Sequence, residues 1–280
     1  MTPHEGFCRI LDHDKTFKNI VFYRFKRHCI WVQAFWQALS YLSFNMALSF
    51  ANKQLPSATI LMAVRWYVAY KLSYRNIEEL LAERGVKVDH ATIHRWVLEY
   101  APQLESVFRS RKRPVSDSWR MDETYIKVKG EWQYLYRAVD KYGDIIDFML
   151  SEKRDEKAAR LFFQKAIGQH GLPEKVVIDK SGSNAAALDT INWQVWFAGM
   201  FGRLIEVLQI KYLNNIVEQS HRPVKWKMRT ALGFKSVTGA EATIAGVELW
   251  QMLRNGQMKY VGEMPLWEQF YSLAVWPCLK

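Results

Sequence analysis

Cysteine is scarce. Cys8, Cys29 and Cys278 are an odd, scattered set with no CxxC pair. That excludes a disulfide framework and a cysteine-held zinc site, and it is the usage of a reducing compartment. Acids are outnumbered, with 28 Asp and Glu against 39 Lys and Arg and a formal charge of +11. Such a balance favours a polyanionic partner, nucleic acid above all, although an anionic membrane surface answers to the same charge. Internal repeats and low-complexity tracts are missing. No small-residue cleavage site follows the early apolar stretch, so a secretory signal is not expected. What is present is material for a core. Of 280 residues, 49% are hydrophobic and 14% aromatic, enough for one large domain or two modest ones.

Charge is also absent from CIWVQAFWQALSYLSFNMALSFAN, residues 29–52. Its length suits a membrane span. Gln33, Gln37 and Ser40 share one helical face, however, and leave a wide apolar remainder. The expectation is an amphipathic helix that packs on protein, in a cytoplasmic, nucleoid-associated molecule with no membrane partner.

Regular patterning begins near Leu55. PSATILMAVRWYVAYK reads as a helix with Pro56 in its first turn. Ser73 caps a second, YRNIEELLAERG, without a full capping box, and Gly85 stops it. Asp89 caps a third, HATIHRWVLEYAPQL. Two helices joined by a short turn containing Gly outline a helix-turn-helix. RSRKRPVSDS, residues 109–118, then reads as a basic linker. Beyond it the period becomes strand-like in SWRMDETYIKVKG, EWQYLYRAVDKYG and DIIDFMLSEKRD. A helix, the short strand of EKVVID, a mixed stretch over 185–204, the strand IEVLQIKYL and two helices complete the order. This βββαβ(α)βα succession is the ribonuclease-H-like α/β order, a mixed five-stranded sheet with helices behind an all-α helix-turn-helix. The expected divisions are 1–45 as an extension, 46–108 as the helix-turn-helix domain, 109–118 as linker, 119–256 as catalytic domain and 257–280 as tail.

Three acids stand out. Asp122 interrupts a strand, Asp179 ends VVID where open α/β sheets place ligands, and Glu218 is the lone acid in KYLNNIVEQSHRPVKWKMR. Each has an ordinary reading: a strand-edge residue, a helix cap, and an ion pair with Arg222 at i+4. Glu123 points to the face opposite Asp122, so only one of that pair can be a ligand. Phosphodiester chemistry needs cations beside an anionic phosphate, and Mg²⁺ takes carboxylate oxygens. Three clustered acids without a cation would repel one another.

These stretches carry a resemblance. AVRWYVAYKLSYRNIEELLAERGVKVDHATIHRWVLEYAP, WRMDETYIKVKGEWQYLYRAVDKYG, VVIDKSGSN, KYLNNIVEQSHRPVKWKMR with LGFKS, and ATIAGVELWQMLRNGQ resemble the DDE transposases of insertion-sequence family six, in order, from about Met46 to Gln257. The resemblance implies Asp122, Asp179 and Glu218 as a catalytic, metal-binding triad. It places Lys180 and Asn184 beside the second acid and Asn214 and Asn215 before the third. It further implies two Mg²⁺ ions with Mn²⁺ as a substitute, 3′-end nicking, strand transfer and replicative joining through cointegrates. The implied partners are the element's terminal inverted repeats, target DNA and a second copy of the chain. Rival readings are a DNA-binding regulator without catalysis and a nuclease that cuts without joining. Residues 1–45 have no counterpart in the family, and translation is expected to start at Met46.

DNA contacts are expected along one basic track. In the third helix Ile93, Trp96 and Val97 form the buried stripe, leaving His90, Ala91, His94 and Arg95 for a major groove. Arg109, Arg111, Lys112 and Arg113 suit phosphates. So do Arg222, Lys225, Lys227 and Arg229 around Glu218, with Lys180 and Asn184 near the second acid. Trp226 and Trp250 are expected in the core or an interface.

Overall fold

The computed structural model describes residues 48–180, 182–210 and 215–274. The expected helix over 29–52 falls almost wholly outside them, as does the expected start at Met46. Among the described residues no helix is long and apolar enough to cross a membrane.

Helices α1 (Ser57–Ala69), α2 (Tyr74–Ala82) and α3 (His90–Arg111) open the fold. Ser73 and Asn76 do form a reciprocal capping box: Ser73 N donates to Asn76 Oδ1 at 2.9 Å and Asn76 N to Ser73 Oγ at 3.2 Å. Asn serves at a position where Glu or Gln is the usual partner. Asp89 caps α3 through the Thr92 amide, as expected.

Helix α3 continues past the expected stop to Arg111 and carries Pro102 inside it. Its apolar stripe explains this, because Tyr100, Leu104 and Phe108 extend the line of Ile93 and Val97 and all are buried. Residues 109–111 are therefore the last turn of a helix, not a linker.

Five strands follow: β1 (Ser118–Val128), β2 (Glu131–Asp140), β3 (Ile145–Ser151), β4 (Lys175–Ile178) and β5 (Glu206–Gln209). They form one sheet in the order β3-β2-β1-β4-β5. The first three are antiparallel, while β4 and β5 run parallel to β1. This is the expected ribonuclease-H-like topology. The β1–β2 turn puts Lys129 at φ 52° and Gly130 at φ 88°, the left-handed pair of a tight hairpin.

The sheet separates two cores. On one face, Trp119 and Met121 of β1 meet α4 (Glu156–His170) and α5 (Gly182–Phe197). On the other, Ile126 and Val128 join α1, α2, α3, α6 (Asn215–Ser220), α7 (Arg222–Thr230), α8 (Val237–Arg254) and α9 (Leu266–Ser272). The helix-turn-helix and the sheet thus share one core, and Ala47–Lys280 is a single compact unit. Gly246 marks the closest helix approach, where an added Cβ would meet Val68 Cγ1 at 2.5 Å and Ala101 Cβ at 3.1 Å. The expected tail holds a helix as well, with Phe270 and Leu273 buried in this core.

Candidate active site

Alternation along β1 assigns the faces. Asp122 shares the parity of Ile126 and Val128 and so points toward α6–α8, whereas Glu123 points toward α5. Strand β4 pairs with β1 as Trp119↔Val176 and Arg120↔Val177. The pairing ends there; carried two places further, that register would align Asp122 with Asp179 on one face. The Lys180 amide donates to Asp179 Oδ1 at 2.7 Å. Glu218 lies exposed on α6, which packs against β1 and β2.

Hard divalent cations take carboxylate oxygens. Asp122 and Asp179 fit that donor set. Glu218 does not complete it in this arrangement: among the described residues no group of three His, Cys, Asp or Glu side chains could hold a metal ion. Asn214 and the side chain of Asn215 lie outside the described residues.

The ordinary reading of Glu218 also fails. The helix is interrupted at His221, between α6, which ends at Ser220, and α7, which starts at Arg222 with Pro223 in its first turn. Glu218 and Arg222 are therefore on separate helices. Among the described residues no ion pair joins Glu218 to Arg222.

Two groups that the sequence reading did not single out support the acids. His221 sits at the α6–α7 break, buried, with Nε2 3.4 Å from Asp122 Oδ2. That is ion-pair range rather than a well-formed hydrogen bond, and both ring nitrogens lack hydrogen-bond partners. Burial holds its imidazole below the usual pKa, against the pull of Asp122. Arg137 is Asp122's partner across the β1–β2 ladder. Its Nη1 donates to the Ser220 carbonyl at the end of α6. Its Nη2 lies 2.8 Å from Glu248 Oε2 on α8. Burial pushes the Glu248 carboxyl up to about 7, although Arg137 opposes the shift.

Over 207 residues the chain is 38% identical to the transposase for insertion sequence-like element IS431mec of Staphylococcus aureus strain Mu50, spanning 71% of this chain and 85% of that protein. The chain is a DDE transposase of insertion-sequence family six. A Staphylococcus aureus transposase for insertion sequence element IS257 in transposon Tn4003 matches to the same extent, 38% over 207 residues. Residues 116–257 match the family described as a DDE domain, and residues 53–178 match the IS66 family of transposases. Among solved structures, the HTLV-2 integrase catalytic core domain in complex with magnesium (trimeric form) overlaps 54% of this chain and 95% of that one, at 16% identity and a TM-score of 0.37.

The transposase's expected DNA contacts divide into open and closed sets. His90, Ala91 and Arg95 are exposed at the start of α3, with His90 Nδ1 2.9 Å from Glu78 Oε2. His94 is instead edge-on to Tyr74, 5.2 Å between ring centres, and half-buried. Arg113, Lys180, Arg222 and Arg229 are exposed, and Lys225 is half-buried.

Others are turned inward. Arg109 binds Glu105 and reaches Asp147 Oδ1 at 2.9 Å. Lys112 is buried with Nζ 2.6 Å from the Ile146 carbonyl. Arg111 Nη1 donates to the Ser272 carbonyl at 3.0 Å. Lys227 donates to the Tyr70 and Leu72 carbonyls at 3.1 and 2.9 Å. Asn184 is fully buried and donates to Glu123 Oε1 at 2.9 Å. The charge run 109–113 reads as a phosphate track in sequence, but Arg109 and Lys112 turn to Asp147 and the Ile146 carbonyl of β3 and Arg111 to the Ser272 carbonyl of α9.

Proposed function

We propose that this transposase nicks the ends of its insertion sequence to leave 3′ hydroxyls and joins those hydroxyls to target DNA, with Asp122, Asp179 and Glu218 as the catalytic acids. The β1–β4 register, which carried forward aligns Asp122 with Asp179 on one sheet face, supports this most. Asp122 and Asp179 would hold a divalent cation, Mg²⁺ with Mn²⁺ as substitute and two ions per site, and Glu218 would complete the set by an inward movement of α6. Bound there, the cations supply an activated oxygen and stabilise the leaving one.

The chain's own groups hold this geometry. Arg137 ties the end of α6 to β2 and so limits where Glu218 can go. His221, neutral in its buried place, backs Asp122. Arg222, Lys225 and Arg229 meet the phosphates on either side of the cut, and His90, Ala91 and Arg95 face a major groove. Joining two ends calls for two active sites, so a dimer or larger assembly on the terminal inverted repeats is part of the proposal, as is replicative joining through cointegrates.

A supercoiled plasmid carrying both element ends, incubated with a target plasmid and Mg²⁺, tests the reading. Joined products should form with the wild type and vanish with Asp122→Asn and Asp179→Asn. Cutting without joining would favour a nuclease. Joined products from either variant would remove that acid from the site.

A further inference from the structure

A pocket of about 620 Å³ lies between α7, the end of α1 and the last turns of α8. Its charge is one-sided. Lys71, Arg222, Lys225, Arg229 and Arg254 line it, and none of its lining residues is acidic. Trp226, expected in the core or an interface, is half-buried in the pocket wall, with Lys71 Nζ 4.7 Å over its ring. The remaining cation there, Lys227, is buried and donates to the Tyr70 and Leu72 carbonyls. Its burial holds the ammonium well below the usual lysine value, at about 7.

We infer that this pocket takes one unpaired nucleotide of the DNA strand flanking the cut. This rests on the transposase reading above and adds a subsite to it. A pocket of this volume suits a molecule of nucleotide size better than the breadth of a duplex. Cations without acids suit phosphates, and an indole among them is a stacking platform for any base. A base that replaces Lys71 on the Trp226 ring frees that ammonium for the nucleotide's own phosphate. Position agrees, since Arg222 directly follows His221, which stands 3.4 Å from Asp122. Arg222, Lys225 and Arg229, the cations assigned above to phosphates beside the cut, also line the pocket.

The test compares binding of a blunt duplex with the same duplex carrying a short unpaired thymidine tail, using the full chain without Mg²⁺. A 2-aminopurine placed in the tail reports stacking. Wild type should prefer the tailed duplex by about 10-fold, the scale of one base–aromatic stack. Its 2-aminopurine fluorescence should be quenched. Trp226→Ala should abolish both effects while binding the blunt duplex within about twofold of wild type, and Trp226→Phe should keep most of the preference.

No tail preference in the wild type would overturn the pocket, as would Trp226→Ala weakening both duplexes equally. Nicking that depends on Asp122, measured in parallel, separates the two readings. If it persists while tail preference is absent, only the pocket fails. If tail preference stands while nicking is absent, the transposition chemistry fails instead.

Discussion

At the scale of residues, a charge inside an apolar strand is the signal that marked Asp122, and the same signal was available for Arg137. Arg137 is legible only once α8 is in place, because its counter-charge, Glu248, comes from a distant part of the chain. Removing one member of a buried pair strands the other, at a cost of about 3–5 kcal/mol. Arg137→Leu should lower unfolding stability in urea by that order, and adding Glu248→Leu should recover most of it. No recovery would mean that Arg137 acts mainly through the Ser220 carbonyl. His170 gives a pH signature. Burial, with repulsion from Lys112 and Arg109, holds its pKa down at about 4 against the ordinary 6.5. As pH falls from 6.5 the unfolded chain binds this proton first, so stability is full above 6.5 and is lost toward about 4. His170→Asn should flatten that part of the stability–pH curve relative to wild type.

At the scale of elements, the three helices, the order of five strands and the caps at Ser73 and Asp89 were legible because period and capping are local. What was not legible depends on partners. Helix α3 outruns its expected end because Leu104 and Phe108 find α8, a contact that no local pattern announces. The stretch around Glu218 reads as one helix until His221 and Pro223 are seen to break it in two. Gly246 belongs to the same class: its meaning lies in how closely Val68 and Ala101 approach. Gly246→Ala should destabilise the fold by about 1–3 kcal/mol through overpacking. A melting temperature equal to wild type would show that α1 yields freely there.

At the scale of the whole molecule, the charge of +11 pointed to nucleic acid, but it could not say which cations meet DNA. Arg109, Lys112 and Lys227 are engaged inside the fold, while Lys225 and Arg229 line the pocket at α7. DNA affinity should fall linearly with salt on logarithmic axes, with a slope of about 0.9 per phosphate neutralised. Lys225→Gln and Arg229→Gln should each reduce that slope, whereas Lys112→Met should leave it unchanged. An equal loss of slope from Lys112→Met would contradict the division into open and inward cations. The central claim is narrower: the lone acid of α6 works with the two aspartates of the sheet. The direct measurement is Mg²⁺-dependent strand transfer by Glu218→Gln, with DNA binding followed alongside. Outer partners of metal sites already account for about 10–100-fold, so losing a ligand should exceed that. Strand transfer by Glu218→Gln should fall by more than about 100-fold at unchanged DNA affinity; wild-type strand transfer by this variant would remove Glu218 from the site.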